Sequence, residues 1–171
     1  EQQLTFQVEI LLSESASFLE TAQPSFVLYT NGSLACRLPP YRNGEVYLSV
    51  VLYDDGGTAN GGINRSVVQR LAVEIEPVND APSFEVANVS WYEDSTEHRV
   101  LAFNISKGSP YGDEDWQVLT FHVSFIEGSE LFERLTVESD GSASYALTAN
   151  MFGRAVIELL LVDDGGTARN G

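Results

Sequence analysis

The sequence predicts an all-β protein made of two tandem β-sandwich modules, each incomplete. Short apolar runs rich in Val, Leu, Phe and Tyr alternate with Gly, Asn, Asp and Pro, as strands and turns do. A phrase at residues 46–62, VYLSVVLYDDGGTANGG, is repeated at residues 155–171 as AVIELLLVDDGGTARNG. An internal repeat of this kind indicates an array of copies of one structural unit.

Two segments of the repeat recur at different distances along the chain. The aspartate pair recurs 109 positions along, from Asp54 to Asp163, and LTFQV at 4–8 recurs 115 positions along as LTFHV at 119–123. Loops vary between related modules more than strands do. Both copies therefore belong to modules of roughly 110 residues. We expect the chain to begin and end in mid-module and to belong to a much longer protein.

The second copy contains six segments of strand-like composition bounded by turn residues. They span residues 84–92, 99–106, 117–125, 131–137, 142–149 and 154–162. Ser139-Asp140-Gly141 is a hairpin-turn sequence between the fourth and the fifth. A seventh strand is represented only in the first copy, at residues 66–78, where apolar and polar residues alternate. We expect the second copy to receive this strand from chain beyond residue 171 or from a neighbouring molecule.

These elements predict three parts. Residues 1–78 form the C-terminal part of one β-sandwich repeat, and residues 79–83 (NDAPS) form a linker. Residues 84–171 form the following repeat without its last strand. Seven short strands in roughly 110 residues are typical of a β-sandwich.

The charge of the chain restricts its partners. The net charge is −16, from 25 acidic and 9 basic side chains, and a surface of this sign repels nucleic acid. The acidity indicates either solubility and repulsion between copies or cation binding, since clustered carboxylates suit calcium. No apolar stretch approaches the ~18 residues needed to span a membrane.

Cysteine and asparagine usage bear on the compartment. The single cysteine, Cys36, lies in a predicted strand, and we expect a buried thiol, with a bridge to a partner as the alternative. Four asparagines stand in Asn-X-Ser sequons, which are glycosylation acceptors in secreted chains. They are Asn31, Asn64, Asn88 and Asn104. An extracellular or cell-surface location is therefore expected.

At the repeat boundary the chain resembles cadherin-like repeats. DDGGTANGG, the strand that follows it and PVNDAPSF together are similar to the end of such a repeat, and closest to the VCBS-type repeats of large surface proteins. The second copy adds the early Glu-Asp, the Asn-Ile-Ser and the acidic loop before Leu-Thr-Phe of that type. The resemblance implies an immunoglobulin-like Greek-key sandwich for each module.

The resemblance also implies calcium at the junction between repeats. Its ligands here would be Asn79, Asp80, Asp113, Asp115 and Asp164. Asp55 and Glu93 would belong to the neighbouring junctions. The chain departs from the family at Pro77, where an Asp is usual, and after Asp80, where a second Asn is missing. A metal-free, hydrophobically packed junction is the alternative.

The function expected from these features is structural. The chain is predicted to be a repeat of a long extracellular filament, stalk or adhesin, in contact with other repeats and neighbouring copies. The alternative is a carbohydrate- or protein-binding module, for which aromatic residues could form a stacking platform. They are Tyr53, Trp91, Tyr92, Tyr111 and Trp116. No catalytic function is predicted, because His98 and His122 have no companion motif.

Overall fold

The prediction of an all-β fold is confirmed. The computed structural model describes residues 2–11, 24–96 and 98–168, which form strands, turns and two short 3-10 turns. The chain divides into two compact units, Glu1–Pro77 and Val78–Gly171. The predicted linker, residues 79–83, thus lies within the second unit.

Among the described residues of the first unit, 2–11 and 24–77, the strands form two antiparallel groups. One is a three-stranded sheet in the order β1-β4-β5, and the other is the hairpin β2-β3. The strands are β1 Leu4–Leu11, β2 Ser25–Leu28, β3 Leu34–Arg37, β4 Gly44–Asp54 and β5 Gln69–Ile75. The central strand β4 buries Val46, Leu48 and Val50 on one face, as the alternation of a half-buried strand requires.

Cys36 lies in β3 opposite Phe26 and is an exposed free thiol. The expectation of a buried thiol was therefore wrong. All four residues of β3 are exposed, since this hairpin buries neither face of its second strand. An apolar four-residue run in the sequence does not reveal whether a second layer covers it.

The described residues of the second unit form seven strands around one core. They are β6 Ser83–Val86, β7 Arg99–Val100, β8 Ala102–Ser106, β9 Thr120–Glu127, β10 Phe132–Val137, β11 Ser142–Leu147 and β12 Val156–Val162. They form the sheets β10-β11-β7, β12-β9 and β6-β8. The buried core residues are Leu101, Ala102, Phe121, Val137, Ala143 and Leu161.

The hairpin turn predicted between β10 and β11 is confirmed. Gly141 has a φ of 82°, and the Asp140 carboxylate accepts hydrogen bonds from the Ser142 N–H at 2.9 Å and hydroxyl at 2.6 Å. These bonds favour the ionised form and hold the pKa of Asp140 below its usual value.

Two predicted strands are shorter than expected. The strand predicted over 84–92 ends at Val86. The one predicted over 99–106 is interrupted at Leu101, because the Leu101 N–H donates to the carbonyl of Gly141 in the turn at 2.9 Å. Tertiary contacts here override the local strand propensity.

The repeated phrases pair with the repeated LTF strands in the same register as far as Ile10 and Phe125; beyond Phe125 the second pair is shifted by one residue, since Val156 pairs with Glu127. β1 runs antiparallel to β4 in the first unit, and β9 runs antiparallel to β12 in the second. The equivalent pairs are Thr5 with Tyr53 and Thr120 with Val162, Phe6 with Leu52 and Phe121 with Leu161, and Glu9 with Ser49 and Ser124 with Glu158.

In the part of the chain that the structure describes, no helix is long and apolar enough to cross a membrane.

Candidate functional site

Each Asp-Asp-Gly-Gly loop closes on its first aspartate. Asp54 Oδ1 accepts the N–H of Gly56 at 2.8 Å, and Asp163 Oδ1 accepts the N–H of Gly165 at 2.8 Å. This is an Asx turn. The side-chain oxygen of the aspartate accepts the N–H of the residue two positions later, as a backbone carbonyl does in a β-turn. The two loops have the same local geometry.

The second aspartate of each loop binds the backbone just before the LTF strand. Asp55 Oδ1 accepts the N–H of Gln3 at 2.9 Å, and Asp164 Oδ1 accepts that of Val118 at 2.7 Å. Gln3 and Val118 are equivalent, because each immediately precedes Leu-Thr-Phe. Hydrogen bonds to an ionised acceptor are about twice as strong as neutral ones. The second aspartate therefore ties the end of one strand to the start of its partner.

The first glycine of each loop lies against a glutamine side chain. A Cβ on Gly56 would collide with the amide of Gln2, and a Cβ on Gly165 would collide with the amides of Gln117 and Asn79. Gln2 and Gln117 are also equivalent, two residues before the leucine of Leu-Thr-Phe. The absence of a side chain at these positions allows the glutamine to cover the loop.

Asn79 joins the second loop to the beginning of its unit. Its Nδ2 donates to Asp163 Oδ1 at 3.0 Å, and its Oδ1 accepts from Gln117 Nε2 at 2.5 Å. Gln117 is only 4% exposed, and its Oε1 is buried without a hydrogen-bond partner among the described residues. The side-chain amides of Asn79 and Gln117 thus connect the loop at Asp163 to the beginning of the unit.

Glu114 is the buried carboxylate of this network. It is 5% exposed, and its two oxygens accept the backbone N–H groups of Asp80 and Ser109, each at 2.6 Å. Two such bonds offset the cost of burying the charge, since a carboxylate out of water needs charge-assisted partners. Glu114 therefore fixes the acidic loop to the segment 79–80.

Negative charge is concentrated around Asp80. Burial raises the pKa of Asp80 above 3.8, and the neighbouring charges of Glu114 and Asp113 raise it further. Asp113 accepts a hydrogen bond from the hydroxyl of Ser109. Asp115 is exposed, and its backbone carbonyl accepts from the Lys107 ammonium. The folded unit therefore disfavours ionisation of Asp80.

The structure brings most of the predicted ligands of this junction into one network in the second unit. Asn79 and Asp80 are linked to the acidic loop by Gln117 and Glu114, and Asp164 binds the residue after Gln117. In the described ranges no three Asp, Glu, His or Cys side chains converge on a point where they could hold a metal ion. The donor chemistry, carboxylate and amide oxygen under mutual repulsion, suits calcium. In the present arrangement the side-chain oxygens of Asn79, Asp113 and Asp164 accept hydrogen bonds from the protein.

The two residues assigned to neighbouring junctions lie apart from this network. Asp55 belongs to the loop of the first unit, as described above. Glu93 is exposed in a turn after Trp91 and lines a cavity beside β12. The structure therefore places Glu93 beside the apolar residues that line this cavity.

Two of the four sequon asparagines lie in the first unit. Asn31 is exposed in a turn, where its Oδ1 accepts the N–H of Ser33 at 3.0 Å and the hydroxyl of Ser33 at 2.7 Å. Asn64 is half-buried, and its backbone carbonyl accepts the N–H of Asp54 at 3.0 Å.

The other two lie in the second unit. Asn88 is exposed and lies at the cavity beside β12. Asn104 lies within β8 with a left-handed φ of 51°, a conformation that Asn tolerates better than most residues. Its Nδ2, the atom that a glycan would occupy, donates to Glu85 Oε1 at 2.9 Å.

The five aromatic residues considered for a stacking platform have different environments. Trp91 is half-buried and packs edge-on against Phe132 and Tyr145, with centroid distances of 5.7 and 5.3 Å. Trp116 and Tyr92 are 67% and 83% exposed. Tyr111 is also exposed, whereas Tyr53 is half-buried in β4 of the first unit. Trp91 therefore belongs to the core of the second unit.

Sequence reasoning missed Glu114 and Gln117, the two buried polar residues of the network. The Asp-X-Asp alternation predicted Asp113 and Asp115 as the site residues. Both are exposed, whereas Glu114 between them is buried. Gln117 could have been found, because Gln2 stands at the equivalent place in the first copy.

No protein-family model, no curated protein and no solved structure matches this chain.

Proposed function

We propose that this chain is a structural repeat segment of a long extracellular filament, stalk or adhesin, built from tandem immunoglobulin-like, cadherin-like sandwich modules. The observation that carries the proposal is the equivalence of the two loops. Asp55 and Asp164 accept hydrogen bonds from equivalent backbone groups, on strand pairs whose registers match next to the loops. A constellation copied with a module serves the module, whereas a catalytic site is needed only once.

The surface chemistry supports an extracellular, non-enzymatic role. A net charge of −16 keeps copies apart and soluble at high local concentration. The exposed positions of Asn31 and Asn88 suit attached glycans. The carboxylates of Glu114 and Asp164 accept backbone N–H groups, as carboxylates that stabilise loops do.

In this function calcium would bind to the network around Asp80. Burial and then the charges of Glu114 and Asp113 raise the pKa of Asp80, so its ionisation is unfavourable. A divalent cation would relieve that repulsion. Asp80 and Asp113 would supply carboxylate oxygen, and Asn79 amide oxygen.

Electron microscopy of the native assembly, labelled with antibody against this chain, tests the structural role. We expect thin projections with a regular repeat of roughly 40–50 Å, the length of one sandwich module. Label confined to single compact particles would contradict it.

A binding module is the second candidate, favoured by the exposure of Trp116 and Tyr92. Large exposed aromatic rings are the groups that stack on sugar rings. A glycan array probed with the wild-type chain and with Trp116→Ala separates the two functions. Binding that disappears in the variant supports the module, and absence of binding by the wild-type chain removes it.

A further inference from the structure

We propose that the free edge of β9 is a contact between neighbouring chains, at which β9 of one copy pairs antiparallel with β9 of a second copy. A two-fold axis at Val123 would relate the two strands. The inference adds a side-by-side contact to the proposed function, and it requires no tandem array, calcium or glycan. Its failure would therefore leave the structural role intact.

The edge position of β9 is a property of the module. In the first unit, where β4 has a strand on each side, the order is β1-β4-β5, so the LTF strand β1 lies at the edge of the described sheet. The equivalent strand of the second unit is β9, which pairs with β12 and with no other strand of the described residues. None of the described backbone hydrogen bonds outside the strands involves residues 119–127. A strand on the far side of β12, where β5 lies in the first unit, would leave this edge free.

The edge of β9 lacks the residues that usually protect an exposed strand. Proteins blunt such edges with charged side chains, proline or bulges, because the unpaired N–H and C=O groups attract other strands. Residues 117–126, QVLTFHVSFI, contain no Asp, Glu, Lys, Arg or Pro, and the bulge of β9 comes only after Phe125. In the first unit an exposed glutamate, Glu9, stands where β9 has Ser124. The second unit thus has an open edge where the first has a charged one.

The side chains of β9 are self-complementary in one antiparallel register. His122 and Ser124 are exposed on the outer face, whereas Phe121 is buried and Val123 and Phe125 are half-buried on the inner face. A pair centred on Val123 keeps both faces. It places Phe121 opposite Phe125 of the second copy and His122 opposite its Ser124. Cross-strand aromatic pairs stabilise a sheet, and no like charges meet in this register.

The occupant is a second copy because charge restricts how two of these chains can approach. The net charge of −16 repels copies over most of their surface, so contact is favoured where the surface is uncharged. The edge of β9 is such a place, and an isologous contact needs only this one strand from each copy. Because β12 occupies the other edge of β9, each β9 accepts a single partner strand.

Hydrogen exchange with mass spectrometry on the full chain tests the contact. For so short an edge we expect a weak dimer, with a Kd on the order of 0.1 mM. Raising the chain concentration from about 0.02 to 1 mM should then slow exchange about fivefold at alternate amides of residues 120–125. Salt at about 0.5 M should increase the protection, because it screens the repulsion between copies.

His122→Glu is the test variant, and Thr136→Glu is its control. Glu158 of β12 stands opposite Ser124, so the first change brings a carboxylate of one copy towards Glu158 of the other and should weaken the dimer about tenfold. Thr136 is exposed on β10, in the other sheet, so the second change alters the net charge equally but should leave the dimer unchanged.

Protection of residues 120–125 that grows with concentration in the wild-type chain and in Thr136→Glu, and is lost in His122→Glu, supports the contact. Absence of this protection at 1 mM overturns it, as does protection confined to other strands such as residues 156–162. Equal protection in the two variants also overturns it, because pairing would then not involve the edge of β9.

Discussion

Asp164 accepts a hydrogen bond from the backbone N–H of Val118 at 2.7 Å, across 46 positions of sequence. Asp55 makes the same bond to Gln3 at 2.9 Å in the other unit. In both places an aspartate at the end of one strand holds the start of its antiparallel partner. The repeated Asp-Asp-Gly-Gly sequence therefore corresponds to a repeated hydrogen bond between two paired strands.

The first prediction concerns the buried carboxylate. Glu114→Ala leaves the N–H groups of Asp80 and Ser109 without their acceptor and should lower the free energy of unfolding by about 2–3 kcal/mol. Urea denaturation followed by Trp fluorescence measures the change. Asp115→Ala, one residue away and exposed, is the matched control and should change stability by less than about 0.5 kcal/mol. Equal effects of the two variants would contradict the role given to Glu114.

The second prediction concerns the first glycine of each loop. Gly165→Ala places a methyl group against Asn79 and the buried Gln117, and should cost about 1–3 kcal/mol. Gly56→Ala meets the end of the Gln2 side chain, which is exposed and can swing away, and Asp54 Oδ1 of the Asx turn, so its cost should be smaller, at about 1 kcal/mol. Thermal unfolding of both variants checks the order. A larger loss for Gly56→Ala would be the opposite of what the packing predicts.

The third prediction concerns pH. The folded-state pKa of Asp80 lies above 3.8 through burial and the charges of Glu114 and Asp113, so ionisation of Asp80 weakens the fold. At neutral pH, Asp80→Asn should therefore raise the unfolding midpoint. The gain should disappear as pH falls below the ordinary Asp value, since the carboxyl is then protonated in both the folded and the unfolded state. Glu133→Gln on the exposed surface of β10 controls for the change in net charge.

Bound calcium should reverse the effect of ionised Asp80 on stability, from destabilising to stabilising. If the cation binds at Asp80, added calcium should stabilise the wild-type chain by mass action and stabilise Asp80→Asn much less. Midpoints measured in chelator and in millimolar calcium decide. A wild-type midpoint that is the same in both would remove calcium from the proposed function and leave the repeat equivalence untouched.

The fourth prediction concerns glycans. In chain isolated from its source, Asn31 and Asn88 should carry glycan and Asn104 should not. The Nδ2 of Asn104 is bonded to Glu85 within β8, whereas Asn31 and Asn88 are exposed outside strands. Enzymatic deglycosylation in ¹⁸O water with peptide mapping gives the occupancy. Full occupancy at Asn104 would show that this strand forms later than the modification.

Local patterns in the sequence predict much of this fold. Alternating apolar residues located β9, β10, β11 and β12, and the Asp-Gly pair located the hairpin turn. The segment 84–92 fails as a strand after Val86, since its remaining residues line the cavity and are paired with no strand in the described part of the chain. Composition does not reveal whether a partner strand is present.

The candidate site was predictable only in part. Asp55 and Asp164 stand in a repeated phrase, so the repeat itself indicates that they are equivalent. Glu114 gave no such signal, because its burial depends on two backbone N–H groups, one of them 34 positions away in sequence. Sequence patterns do not indicate which of three adjacent acidic residues faces inward.

Amide exchange at Gln3 and Val118 tests the central claim, that the two units are copies of one module, most directly. NMR exchange rates are compared in the wild-type chain, Asp55→Ala and Asp164→Ala. We expect each variant to lose protection at its own amide, Gln3 in the first and Val118 in the second, while the other amide is unchanged. Loss at only one of the two sites, or at neither, would show that the repeated aspartates are not equivalent in the two units.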